Sequence, residues 1–410
     1  MAVADRAVDP VLIVGASMGG LRTAEALRRS GYAGAITVIG AERHAPYNRP
    51  PLSKDVLASG VSHSAVAFPV RAATADVAWI LGTRVVTADL DARTVTTDDG
   101  RQHPYRALVI ATGLRSRRLP FAPQIARHSV RTLDDAIGLR EELVPGARVI
   151  VVGAGFIGCE VAATARKLGC EVTVVAPGAE PLIRPLGPQI GAELRRRHEA
   201  HGVRFRLQQS VVGLLGGDRF EGVLLGDGST VIGDVLVEAI GSECNSDWLA
   251  GTALQCADGV LADAALRAVT TDGIPLDGVF VVGDIARFPN VMFDSVPRRV
   301  EHWNIPTDTG KRAGAVLGAW LADDGSAAAV IAQEFTPMPA FWSRQFEVSL
   351  QAFGLPGLTD GDIRMLQGDL AGATAVGYYR ADRLVGVVGL GLKAELLPYR
   401  QQIAAHAADQ

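Results

Sequence analysis

Three glycines at positions 153, 155 and 158, in the run VIVVGAGFIGCE at residues 149–160, have the spacing that brings backbone against a phosphate. Gly153 allows the tight turn that follows four β-forming residues, Val149, Ile150, Val151 and Val152. Gly155 lets the backbone approach a pyrophosphate, and Gly158 lets the next helix pack close to the strand while its N-terminus faces the anion. The pattern recurs near the start of the chain, where VLIV at 11–14 leads into Gly15-Ala16-Ser17-Met18-Gly19-Gly20. Ser17 stands where the middle glycine would be and is small enough to keep the turn. Each fingerprint marks its own βαβ unit, so two dinucleotides are expected at once, and hydride transfer between a flavin and a nicotinamide is the usual reason to hold two.

Acids at strand ends supply the other half of nucleotide recognition. Glu42 follows the strand-like run AITVI at 35–39, at the distance where an acid receives ribose hydroxyls. Asp284 ends VFVVGD at 279–284, where a carboxylate points into the crevice of an open α/β sheet and accepts bonds from ribityl or ribose hydroxyls. The strand at 108–110 ends in Ala111-Thr112-Gly113, and glycine there permits close approach to a ligand. The second unit lacks its acid: residues 171–175 run into Ala176-Pro177, with Glu180 the nearest acid and Arg184 the nearest cation. The choice of NADH over NADPH is therefore less firmly encoded than the fingerprint suggests. Between the fingerprints, HAPYNRPPLSK at 44–54 reads as a proline-stiffened connection, with Ser53 placed to cap a helix beginning near Lys54.

These elements belong to a chain of 410 residues, long enough for two or three domains. Hydrophobic residues at 48% and charged residues at 20% describe a globular protein, and a net charge of −4 gives no basic field for nucleic acid. The first residues lack the apolar core of a secretion signal and no uncharged run is long enough to span a bilayer, so a cytoplasmic protein is expected, without a membrane. Cys159, Cys170, Cys244 and Cys256 are scattered, with no CxxC, and read as structural thiols rather than a zinc site or a redox dithiol. Residues 84–99 read as a β-hairpin, 235–241 as the exit strand of the middle unit and 310–321 as a helix. The aromatic-rich stretch 335–353, the strand 384–392 and a closing helix at 394–405 follow.

Six motifs, VLIVGASMGG, RPPLSK, ATG, VIVVGAGFIGCE, VFVVGDIA and EHWN, occur in the order and spacing of the FAD-dependent ferredoxin reductases, a family the chain resembles over nearly its whole length. The resemblance implies an α/β, glutathione-reductase-like fold: two Rossmann-type dinucleotide-binding domains plus a C-terminal α+β domain. Its parts would be 1–113 and 241–325 for FAD, 114–240 for NAD(H), and 326–410 at the C-terminus. Carried over by position, Gly15, Ser17, Gly20 and Glu42 hold the ADP half of FAD, with Ala111, Thr112 and Gly113 also at the cofactor. Arg49 and Lys54 lie by the isoalloxazine and Asp284 by the ribityl chain. Gly153, Gly155 and Gly158 take NADH, with NADPH second, and Trp303 borders the flavin near the nicotinamide. Lys54 and Glu160 are implied to form an ion pair near flavin N5. The chain departs from the family pattern at Ser17, at Ala176 and at Arg344, where many relatives carry an acid.

Disulfide reductases of this fold carry a CxxxxC pair soon after the first unit and a His-Glu pair near the C-terminus. Here no cysteine precedes Cys159, and His406 sits in a polar tail. Electrons must therefore leave for an external acceptor, which the resemblance makes a ferredoxin serving a cytochrome P450 or a ring-hydroxylating oxygenase. Ferredoxins are generally acidic, so Arg298, Arg299, Lys311, Arg312 and Arg344 are candidates for a docking rim. Three alternatives stand beside this reading. A rubredoxin reductase differs only in its partner, an NADH oxidase-like flavoenzyme would want a cysteine near residue 45, and an apoptosis-inducing-factor-like binding protein would turn over slowly.

Overall fold

The computed structural model describes residues 9–69 and 71–405; His406 and the first eight residues lie outside them. Val11–Val14 is buried at every position, which is why it is continuously apolar instead of alternating: both faces of a parallel sheet are covered. It pairs in parallel with Ile36–Gly40 and with Ala107–Ile110. Ala78–Leu81 and Pro275–Val281 extend the sheet in parallel, and Arg267–Val269 closes one edge antiparallel. Pro275–Val281 comes from far along the chain, so residues on both sides of the second fingerprint build this one sheet. The second fingerprint has its own parallel sheet, in the order Arg204–Leu207, Glu171–Ala176, Arg148–Val152, Val235–Glu238.

The chain passes between these two sheets through a short antiparallel pair, Leu114–Ser116 against Ser242–Cys244. Thr112 Oγ1 donates to the Asn245 carbonyl at 2.7 Å and Asn245 Nδ2 donates back to the Thr112 carbonyl at 3.0 Å, which pins the end of Ala107–Ile110 at the crossing. A five-stranded antiparallel sheet follows, in the order Ala340–Gln345, Val348–Gly354, Arg383–Leu390, Thr374–Arg380, Asp362–Gly368.

Two helices of the first unit touch almost backbone to backbone. The helix expected at 310–321 runs over Ile305–Ala322, because Pro306 in its first turn lacks only an N–H that would be unpaired there anyway. Gly310, Gly314 and Gly318, four residues apart, share the face that meets Met18–Arg29. A Cβ on Gly314 would lie 2.5 Å from Ala26 Cβ, and one on Gly310 would lie 2.9 Å from the Gly19 carbonyl oxygen. Replacing Gly314 with leucine is expected to cost about 1–3 kcal/mol through overpacking, read as a lower urea midpoint.

Asp294, at the start of Asp294–Arg299, joins this unit to the C-terminal sheet by accepting from Arg298 and, at 2.9 Å, from Arg380. The Arg298 guanidinium, with Arg380 behind it, holds the carboxyl at about 2 against an ordinary 3.8. A depressed folded value stabilises at pH above 3.8 and is lost as pH falls from there through about 2. Asp294→Asn is expected to flatten the acid limb of stability over that window, measured as the thermal midpoint against pH.

Candidate functional site

Both glycine turns open onto one continuous cleft of ≈ 1660 Å³. Gly15, Ser17, Glu42, Arg49, Lys54, Ala111, Thr112, Gly113, Asp284 and Trp303 line it from one side, Gly155 and Glu160 from the other. Gly20, Gly153 and Gly158 lie behind the walls, where packing demands glycine. Cβ atoms there would fall 2.1, 2.2 and 2.0 Å from the carbonyl oxygens of Gly15, Ala239 and Gly153. Gly15 itself has φ +125° and would place a Cβ 2.1 Å from the Ala111 oxygen. Gly155 is different, because a Cβ there would meet no protein atom within 4 Å. Its bareness leaves room for something else, and a dinucleotide pyrophosphate at the N-terminus of Phe156–Lys167 fits that room.

The first turn faces a tight polar cluster. Glu42 lies just beyond Ile36–Gly40, and its carboxylate accepts from Arg49 Nη2 and from the Tyr47 hydroxyl, both at 2.5 Å. Arg49 also donates to the Arg131 carbonyl at 2.5 Å and lies 3.5 Å from Ser17 Oγ. Its partners thus hold it beside the glycine turn, where Glu42 draws the guanidinium. Ser17 stands at the N-cap of Met18–Arg29 without capping it, so its hydroxyl is not committed to the helix. Tyr47 was missed in the sequence, although it sits in the proline-rich loop. Its hydroxyl accepts from the Leu133 N–H at 2.9 Å, and burial pushes the phenol well above its ordinary value, which keeps it a neutral donor. Arg131, which no local signal announced, donates to Asp284 at 3.3 Å. Burial pushes the Asp284 carboxyl up, and Arg131 offsets part of that rise.

In the wall of the same cleft, Lys54 Nζ donates to Glu160 Oε2 at 2.5 Å. Glu160 is only 4% exposed and Lys54 19%. Ser53 is expected to cap a helix, but Pro50–Ser53 is a 3-10 turn and Asp55–Ser59 starts without a side-chain cap. The Ser53 hydroxyl donates instead to Glu160 Oε2 at 2.5 Å, since a buried carboxylate is a stronger acceptor target than a neutral helix end is a donor site. Ser343 Oγ, also unforeseen, donates to Glu160 Oε1 at 2.6 Å. Trp303 stands at the rim, donating from Nε1 to Asn48 Oδ1 at 2.9 Å and meeting Trp342 edge-on at 5.0 Å. His302 beside it is pulled down to about 4 by burial, so it is neutral at physiological pH.

Three of the five candidate docking cations are already engaged. Arg298 is paired with Asp294, and Arg299 with Asp258 at 2.7 Å and Glu301 at 3.0 Å. Arg312 is 8% exposed and donates to the carbonyls of Val330, Ile331 and Gln333, so it ties down a chain turn and presents no charge to a partner. Lys311 and Arg344 are exposed, and among the described residues neither has an ion-pair partner. Glu180, the stand-in acid of the second unit, is clamped by Arg195 at 2.7 and 3.1 Å, while Arg184 lines the cleft. All four cysteines are free, and burial pushes the Cys159 thiol up to about 12, so it offers no thiolate. Among the described residues no helix is long and apolar enough to cross a membrane, and no group of side chains is arranged to hold a metal ion.

Two strand–glycine turn–helix units that share one cleft, lined also by a buried ion pair, define an oxidoreductase of the two-nucleotide α/β class. Comparison with known proteins agrees. Residues 9–310 match the pyridine nucleotide-disulphide oxidoreductase family and residues 340–410 match a reductase C-terminal family. The chain is 36% identical to the anthranilate 1,2-dioxygenase system ferredoxin–NAD(+) reductase component of Burkholderia cepacia, over 97% of this chain and 95% of that one. It is 32% identical to putidaredoxin reductase of Pseudomonas putida, over 92% and 88%. Among solved structures, the covalent putidaredoxin reductase–putidaredoxin complex superposes with a TM-score of 0.87 at 29% identity, covering 97% of this chain and 93% of that one. The ferredoxin reductase for the CYP199A2 system from Rhodopseudomonas palustris gives 0.84 at 33% identity, covering 95% and 93%. The chain belongs to the pyridine nucleotide-disulphide oxidoreductase family.

Proposed function

We propose that this chain is a cytoplasmic ferredoxin reductase that holds FAD, takes electrons from NADH and delivers them to a small iron–sulfur ferredoxin serving a cytochrome P450 or a ring-hydroxylating oxygenase. The observation that carries the reading is the single cleft lined by both glycine turns and by the Lys54–Glu160 pair, with no thiolate beside it. Bound FAD would supply hydride acceptance from NADH and release of single electrons to an iron–sulfur centre.

In this reading residues 1–113 and 241–325 form the FAD unit, 114–240 the NAD(H) unit and 326–410 the C-terminal unit. Gly15 and Ser17 face the ADP half of FAD on the turn that Gly20 keeps closed, Arg49 lies beside the cofactor with Lys54 toward the isoalloxazine, and Glu42 and Asp284 receive ribose and ribityl hydroxyls. Ala111, Thr112 and Gly113 line the flavin's path. Gly153, Gly155 and Gly158 seat NADH, and Lys54, Glu160 and Trp303 surround the place where the two rings meet. The chain's work is to stack those rings and hold a compensated charge beside them.

Stopped-flow mixing of the yellow holoprotein with NADH and with NADPH, followed by oxidised ferredoxin, tests the scheme; faster reduction by NADH and onward transfer are expected. A colourless protein that refuses added flavin would end it. For docking, Arg344→Glu is expected to lower kcat/KM for ferredoxin about 3- to 10-fold at low ionic strength, with a smaller deficit in high salt. Ferricyanide reduction should be unchanged, and equal loss of both activities would count against a docking role for Arg344.

A further inference from the structure

Glu160 is reached by a hydrogen-bond chain that no sequence motif announces. Ser343 Oγ donates to Glu160 Oε1 at 2.6 Å, Gln345 Nε2 donates to Ser343 Oγ at 3.0 Å, and His198 Nε2 lies 2.9 Å from Gln345 Oε1. Ser343, Gln345 and His198 are 2%, 1% and 0% exposed. The direction of the chain follows from the carboxylate, which when ionised only accepts. Ser343 has one hydrogen and gives it to Glu160, so its oxygen takes a hydrogen from the Gln345 amide. That turns the amide oxygen toward His198, whose Nε2 must carry the proton. Nδ1 of His198 is buried without a hydrogen-bond partner, which suits a bare nitrogen and would penalise an N–H there. Burial also pulls the imidazole down, opposed in part by Gln345.

The chain gathers distant segments. Ser53 and Lys54 follow the first fingerprint, Glu160 sits on Phe156–Lys167, His198 on Ile183–Ala200, and Ser343 and Gln345 on Ala340–Gln345. Alternation along that last strand turns Ser343 and Gln345 inward and leaves Trp342 and Arg344 exposed.

We propose that Ser343, Gln345 and His198 are positioning residues that fix Glu160 on Lys54, so that the cation beside the flavin stays compensated. The inference rests on the reading of the cleft as the flavin site. Without the Ser343 donor, Oε1 is left bare in a buried place and the grip of Oε2 on Lys54 loosens. A less compensated Lys54 would favour the negative charge that a flavin gains on reduction, which makes its midpoint potential more positive.

The test is the flavin midpoint potential of the holoprotein, by spectroelectrochemical titration, in the parent and in Glu160→Gln, Ser343→Ala, Gln345→Met and the double variant Ser343→Ala/Glu160→Gln. The first is expected to raise the potential, Ser343→Ala to raise it less, and Gln345→Met less again. The double variant should match Glu160→Gln alone because Ser343 acts through Glu160. Ser343→Thr, which restores the hydroxyl, should return the parent value. Additive shifts in the double variant, or a parent-like potential in Glu160→Gln or in both Ser343→Ala and Gln345→Met, would overturn the proposal. Nitrogen-15 NMR of histidine-labelled protein gives a readout that needs no flavin: a neutral His198 protonated at Nε2 is expected, and protonation at Nδ1 would reverse the chain and sink it. Failure to hold flavin would instead strike the functional reading, with the NMR result still deciding the hydrogen-bond direction.

Discussion

Lys54→Met is expected to lower unfolding free energy by about 3–5 kcal/mol, because it strips the cation from a carboxylate that stays buried. Glu160 is 4% exposed, and in the variant it would keep the hydroxyl donors Ser53 and Ser343 but no positive charge. Two neutral hydrogen bonds do not replace a cation at 2.5 Å in a place that solvent barely reaches. Removing the second charge as well, in Lys54→Met/Glu160→Gln, should recover most of the loss, since what costs energy is the orphaned ion. Urea unfolding of the parent, the single and the double variant measures both steps. A loss below about 1 kcal/mol would mean that the pair behaves as a surface salt bridge. The reverse single change is milder in stability, because Lys54 is 19% exposed and its ammonium also reaches the Pro50 carbonyl at 3.1 Å.

Gly155→Val and Gly15→Val are expected to fail in different ways, because Gly15 is the first glycine of its fingerprint and Gly155 the middle one of the other. At Gly155 an added Cβ meets no protein atom within 4 Å, so the variant should fold and keep its flavin. The added side chain would occupy the place of the NADH pyrophosphate, and losing about 3 kcal/mol of binding there raises the KM for NADH about 100-fold. At Gly15 the backbone has φ +125° and a Cβ would fall 2.1 Å from the Ala111 carbonyl oxygen and 2.9 Å from the Thr112 nitrogen. That variant must distort the turn itself, so it should purify colourless or fail to fold. Flavin content by absorbance and steady-state NADH kinetics separate the two cases. A flavin-free Gly155→Val would show that the second turn has a structural duty toward the first.

Both glycine turns and their strands were legible because much of each is settled within a few residues, by the positive φ at Gly15 and Gly153 and by the carbonyls of Gly15 and Gly153 that close against Gly20 and Gly158 five residues on, although Gly15 and Gly153 also press against Ala111 and Ala239 far along the chain. The continuous burial of Val11–Val14 and of the inner residues of Arg148–Val152 belongs to the same class, as apolar runs that only a doubly covered sheet accommodates. Charge partners obeyed no such local rule. Ser53 looked like a helix cap until a carboxylate 107 residues away took its hydroxyl, and Ser343 reaches the same carboxylate across 183 residues. Arg299 and Arg312 looked like free cations because Asp258 and the carbonyls near residue 331, which engage them, lie well away in the sequence, while Arg298 is taken by Asp294 only four residues before it, a pairing that the strand geometry decides. Limits on φ and contacts within one turn act along the sequence and so can be read in order, whereas an ion or hydroxyl bonds to whatever acceptor the folded chain brings within about 3 Å, and only the packing of the units decides which one that is.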